Sequence, residues 1–298
     1  QTGVKACSLP APTLPDSIPV QATFWRVWLP QEDVLLAYDR NFTLVKSAQL
    51  YNLAQQSGIA YPVAVDAMRA AIRDAQADHG ITGRLIAAID REASPDAALE
   101  MVQWVIAHRR DEVLGIGIDY SEVNRPPELF APAYALARRA GLRATAHAGE
   151  FGMPWTNVRT AVELLQVDRL DHGYTIVDAP EYARQCADRG IVFTVVPTNS
   201  YYLRTLAPER WALDHPIRRM PGLGLRLHPN TDAPTLHRVT PTGAWWMMLR
   251  DFGCTLDDLR GFLQNGLDAA WIDDSTRRAW RAEHLAQFDT LRAAAGAG

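Results

Sequence analysis

The chain has 298 residues, 48% of them hydrophobic and 21% charged, a balance that suits one large globular domain spanning residues 1–298. A formal net charge of −4 lacks the basic excess that nucleic-acid or anionic-membrane binding requires, so the expected partners are small molecules. Cys7, Cys186 and Cys254 are far apart, with no CxxC pair, which suggests neither a disulfide framework nor a thiolate zinc site and fits a cytoplasmic setting; no apolar run is long enough for a membrane span or signal peptide.

In chain order, residues 9–30 are rich in proline and aromatics without a clear period, whereas residues 34–56 and 63–77 read as helices. From Gly83 onward short β-type runs alternate with longer amphipathic stretches, the pattern of βα units around a parallel sheet. Strands are expected at residues 83–90, 113–119, 142–147, 169–172, 191–196 and 223–227. Ser94 and Pro95 offer a cap and a first-turn proline for the helix after the first of these strands. Further helices are expected at 127–139, stopped by Gly141, at 157–165, from Pro180 to a stop at Gly190, and over most of 242–295. The fold class is therefore α/β, a barrel of parallel strands. Its first and second strands are not identifiable, since six strands are found where a closed barrel of this type has eight. Trp245, Trp246 and Met247 read as packing residues.

The ionisable residues are placed informatively. Asp119, His147, His172 and Asp232 each fall at or just past the C-terminal end of an expected strand, and in a parallel barrel those ends converge on one rim. Taken singly, each has an ordinary reading: a hydrogen-bonded rim histidine, a turn aspartate before Pro234, or, for Glu150, a solvated loop residue. Packing alone does not select acids and histidines at four strand ends together.

Four segments carry a family resemblance: His147-Ala148-Gly149-Glu150, Asp171-His172-Gly173-Tyr174, Val196-Pro197-Thr198-Asn199-Ser200 and Asn230-Thr231-Asp232-Ala233-Pro234. In order and spacing they resemble the signatures of adenosine deaminases and their relatives. The stretch Gly117-Ile118-Asp119-Tyr120-Ser121-Glu122-Val123 with Pro126-Pro127-Glu128-Leu129-Phe130 resembles the branch acting on free adenine or N6-substituted adenine. The resemblance implies a TIM-type (β/α)8 barrel and hydrolytic deamination of an adenine-like purine (adenine, N6-substituted adenine or adenosine) by zinc-activated water attacking C6. It implies His147 and Asp232 as zinc ligands, Glu150 as proton donor to ring nitrogen N1, and His172 beside the attacking water. Asp119, Ser121 and Glu122 are implied as substrate-binding, with Ser121-Glu122 on the imidazole side of the base. Gly149 would let the backbone turn so that Glu150 joins His147. A homo-oligomer is compatible with all of this.

The sequence departs from the family pattern in two places. The family takes two further zinc ligands from a His-x-His pair on the first strand, and no His-x-His occurs in this chain. Either the sequence begins past that strand, since Gln1-Thr2-Gly3-Val4 resembles the segment just after it, or residues 24–29 are a degenerate first strand with Arg26 and Trp28 at the ligand positions. On either account only two of the usual zinc ligands come from this chain, and a metal-free family member with a ligand-binding role or a different reaction is the alternative. Ala233 stands where the family usually has a second aspartate that bonds the purine at N7.

Overall fold

A computed structural model describes residues 61–203 and 205–295, without the side chains of Thr235 and Leu236. Before residue 61 it describes only the backbone of four strands: β1 (Val4–Ala6), β2 (Ala22–Leu29), β3 (Glu32–Asp39) and β4 (Val45–Lys46). The six expected strands are all present, as β5 (Leu85–Asp90), β6 (Val113–Asp119), β7 (Arg143–Ala148), β8 (Arg169–His172), β9 (Val192–Val195) and β10 (Arg226–Pro229). With β4 they form one parallel sheet in which spatial order follows chain order. Parallel strands need a crossover, and successive neighbours joined by helices are the α/β barrel plan.

Strand composition reflects this layering. Ile89, Ile116, Ile118, Leu170 and Phe193 are fully buried and β9 is buried along its whole length, as expected when helices cover one face and the barrel interior fills the other. The helices include Tyr61–His79, Pro95–Ala107, Ala131–Arg139 entered through the 3-10 turn Pro127–Phe130, and Pro180–Asp188. Pro241–Arg250, Leu256–Ala269 and Asp274–Ala294 close the chain. Their ends follow the sequence signals: Ser94 Oγ accepts from Ala97 N at 3.1 Å, and Gly141 and Gly190 both take positive φ where helices stop. The helix Thr156–Thr160 widens into a π turn over Ala161–Leu165. None of the described helices is long and apolar enough to cross a membrane.

The N-terminal third corrects the sequence expectations. Residues 34–39 and 45–46, read as part of one helix, are strand, because a short apolar run such as Val34-Leu35-Leu36 fits either state and the pairing partner decides. Residues 40–44 and 47–56 of that expected helix, and Gln1–Gly3 and Cys7, lie outside the described residues. Residues 24–29 are extended, but β2 pairs antiparallel with β1 and β3 in a separate three-stranded sheet, so Arg26 and Trp28 do not sit in a barrel strand. Of the expected packing residues 245–247, Trp246 is 57% exposed, and the neighbouring Met248 fills the core instead.

Gly173 shows how tightly the rim is packed. It has φ +72°, and a Cβ there would lie 2.4 Å from Phe193 Cδ1 and 2.9 Å from Leu170 Cδ2. Gly173→Ala is expected to cost about 2–4 kcal/mol, read as a lower urea midpoint at unchanged slope, from a left-handed backbone and an overpacked core together.

Candidate active site

Strand ends aim the site residues. His147 lies in β7 opposite Asp171 of β8, and Ala148 opposite His172, so the two histidines arrive on neighbouring strands with ring centroids 4.6 Å apart. His172 and Asp232 are non-glycine residues at φ +66° and +56°. Such conformations cost stability and persist where surrounding structure imposes them, here at the end of β8 and in the turn that follows β10.

Hydrogen-bond partners assign the ring nitrogens. Asp171 Oδ2 lies 3.3 Å from His147 Nδ1 and also accepts from Thr145 Oγ1 at 2.8 Å, while its Oδ1 accepts from Thr194. Burial pushes the Asp171 carboxyl up, but the bond from His147, its charge and that of Arg169 outweigh this and hold it well below the usual carboxylate range. An ionised Asp171 keeps the proton on Nδ1 of His147 and turns Nε2, with its lone pair, away from itself. His172 is set by Tyr174, whose phenol burial pushes well above its ordinary pKa. The Tyr174 hydroxyl donates to Val196 O at 3.1 Å and accepts from Val196 N at 3.0 Å, so toward His172 Nδ1, 3.2 Å away, it can only accept. Nδ1 of His172 therefore carries a proton, and Nε2 is the ring nitrogen that faces Glu150.

Donor atoms of His147, His172 and Asp232 lie within 4.8 Å of one another. Acceptors gathered this closely suit a cation, although the two that the sequence implied as ligands, His147 and Asp232, are fewer than the three protein donors of catalytic zinc sites. His172, implied beside the attacking water, supplies the third donor atom of the group.

Glu150 joins the cluster, with Oε1 3.6 Å from His172 Nε2 and accepting from Asn199 Nδ2 at 2.8 Å. The turn that carries it is braced from below. Gly149 takes φ +69°, and a Cβ there would meet Thr175 Oγ1 at 2.6 Å, so glycine is required, as the sequence suggested. Glu122, fully buried, accepts from Gly149 N at 3.0 Å, Glu150 N at 3.1 Å and Asn157 Nδ2 at 2.8 Å. Buried Arg91 donates to His147 O at 2.6 Å. Asp119 is buried at the end of β6, and half-buried Ser121 accepts from Val123 N at 3.4 Å. Sequence reasoning missed the supporting roles of Asp171, Tyr174, Arg91 and Asn199; all but Arg91 stand inside the quoted motifs, and Tyr174 lies two residues beyond the histidine it serves.

A sequence model described as adenosine deaminase matches residues 47–286. The chain belongs to the adenosine deaminase family. Among its relatives, the adenine deaminase of Sphingopyxis alaskensis is 31% identical over 235 residues, covering 78% of this chain and 65% of that protein, so the chain spans about two thirds of the relative's length. Of solved structures, an amidohydrolase from Burkhoderia ambifaria with bound zinc is 58% identical, with a TM-score of 0.82 over 86% of this chain and 69% of that one. Adenine deaminase from Arthrobacter aurescens is 26% identical, with a TM-score of 0.74 over 80% of this chain and 72% of that one.

Behind the deaminase-like site, His215 is buried, with Nδ1 accepting from Ile217 N and Nε2 3.1 Å from Ser200 Oγ. Burial pushes its pKa from 6.5 down to about 3. Between those values the unfolded chain holds a proton that the folded protein lacks, so stability is full above about pH 6.5 and falls with pH by up to about 1.4 kcal/mol per unit. Urea midpoints measured at pH 7 and pH 5 should differ less for His215→Gln than for the wild type.

Proposed function

We propose that the chain is a zinc-dependent hydrolytic deaminase of a 6-aminopurine, adenine or an N6-substituted adenine being the preferred class. The observation that carries this reading is the meeting of two histidine nitrogens, a carboxylate and the Glu150 carboxyl at neighbouring strand ends. The adenine deaminases among its relatives support the same chemistry. Deamination at C6 needs a nucleophilic water, a base for its proton, and an acid for ring nitrogen N1 as aromaticity is lost.

His147 and Asp232 would hold zinc, which when bound acts as a Lewis acid that makes water nucleophilic at neutral pH. His172 Nε2, held as an acceptor by Tyr174, takes the proton of the attacking water. Glu150 protonates N1, and the proton taken up by His172 passes to the amino group, which leaves as ammonia or, from an N6-substituted base, as the amine. The hydroxyl proton left on the C6 oxygen returns to Glu150 to give the 6-oxopurine. Asp119 and Ser121 would contact the base from the end of β6, while Glu122 serves binding through the turn it braces. With Ala233 in place of a second carboxylate, N7 is read by another group or left to solvent. Loss of one buried substrate hydrogen bond commonly costs about 1–3 kcal/mol, enough to shift preference among purines. A cytoplasmic location and a single domain fit this reading.

Steady-state ammonia release together with metal analysis tests these assignments. Glu150→Gln should still bind purine but lose at least about 100-fold in kcat. His147→Ala should lose zinc and activity together, whereas His172→Ala should keep zinc and lose activity. Near wild-type turnover by Glu150→Gln rules out the proton donor. Because the sequence contains no His-x-His, a wild-type protein that binds purine but holds no zinc would instead favour a metal-free ligand-binding role.

A further inference from the structure

Resting on that reading, we propose that His237 is a positioning residue that holds Asp232 in the conformation from which its carboxylate joins the two histidines. The short helix Pro234–His237 follows Asp232 and is bracketed by two non-glycine residues in the left-handed region, Asp232 at φ +56° and Arg238 at φ +48°. Backbone of this kind relaxes unless its surroundings hold it, and one turn of helix is too short to keep its own shape in water. Within the segment His237 N donates to Ala233 O at 2.9 Å and Val239 N to Pro234 O at 3.1 Å. Those bonds close the turn on itself but do not anchor it to the rim.

The ring of His237 supplies the anchor. It is buried, its Nδ1 lies 3.2 Å from Thr198 Oγ1, and it stacks on Tyr202 with ring centroids 5.1 Å apart and 6° between the planes. Both partners belong to the neighbouring rim segment, Thr198 just ahead of the short helix Asn199–Tyr202 and Tyr202 at its end. That segment is itself fixed from behind. The Tyr174 hydroxyl bonds both polar backbone atoms of Val196, Ser200 Oγ lies 3.1 Å from His215 Nε2, and Asn199 Nδ2 donates to Glu150 Oε1 at 2.8 Å. The loop after β10 is thus hung on the loop after β9 through a side chain gripped at its edge by a hydrogen bond and on its face by a ring. Because the same mount holds Glu150, the pin also sets the spacing between Asp232 and the acid candidate.

His237→Ala removes bond and stack together, whereas His237→Phe keeps the stack and loses the bond; both are made in the full chain. Zinc affinity, read by competition with a chromogenic chelator, is expected to fall about 10- to 100-fold in His237→Ala and by less in His237→Phe, the range usual for groups that orient a metal ligand. The urea midpoint of the metal-free protein should move little in either, since losing the pin lets two left-handed residues relax. Thr198→Val should weaken zinc about as much as His237→Phe does, and in the His237→Phe background it should add less than about 2-fold, because the shared bond is already gone. Crystal structures of the wild type and His237→Ala read the geometry without metal or turnover: Asp232 should leave the left-handed region and its carboxylate should move off the two histidines. A large fall in the urea midpoint at unchanged zinc affinity, or an unmoved Asp232 in His237→Ala, overturns the proposal and leaves His237 a packing residue. If the wild type holds no zinc, the functional reading falls, and the position of Asp232 in the two crystal structures alone decides the role of His237.

Discussion

The buried Glu122 carboxylate is the constraint on which the site depends. A strand that ends in His147 and then turns exposes the N–H groups of Gly149 and Glu150 with no ladder partner, and an unpaired buried N–H costs about as much as a lost hydrogen bond. Glu122 accepts both, and Asn157 as well, from a loop that follows the neighbouring strand. The turn after β7 therefore has one conformation, set by the loop after β6. Arg91 adds a third strand end by donating to His147 O. The positions of a metal-ligand candidate and an acid candidate are thus fixed by main-chain bonds to side chains on adjacent barrel strands, which is how a rim of loops becomes a rigid site.

Rigidity here is paid for in backbone strain. His172, Gly173, Gly149 and Asp232 all take left-handed conformations, and two of them are not glycine. A strand's last residues would otherwise alternate into the barrel interior or the helix layer, and positive φ at the end of β8 and in the turns after β7, β8 and β10 breaks that alternation. Packing then locks the choice: Phe193 leaves Gly173 no space for a side chain, and Thr175 does the same for Gly149.

The barrel portion was legible from the sequence because parallel strands buried on both faces appear as short apolar runs, and the helix stops at Gly141 and Gly190 need glycine for backbone reasons. His147, His172 and Asp232 were legible as a group because the βα rhythm gives each the same place in its unit. The supporting residues were not. Glu122 reads as a substrate contact from its motif, yet its observed partners are the turn and Asn157, a role that depends on which backbone groups the next loop leaves unpaired. Asn199 likewise stands inside a quoted motif, yet its role has no local signal, since its partner is 49 residues away. The early strands failed for a different reason: a short apolar pattern fits helix and strand alike and pairing decides, whether the partner is near in sequence, as β2 is to β3, or distant, as β5 is to β4.

The division of labour between the two histidines follows from their neighbours alone. Both rings turn Nδ1 to a hydrogen-bond partner, yet one is backed by an ionised carboxylate and the other by a phenol. Asp171 makes His147 electron-rich, the stronger ligand for a cation. Tyr174 offers His172 only a lone pair on a neutral oxygen, so a proton gained at Nε2 is stabilised weakly and is readily passed on. A ligand should hold and a base should exchange, and the two backing groups set those tendencies in opposite directions within 4.6 Å of ring separation.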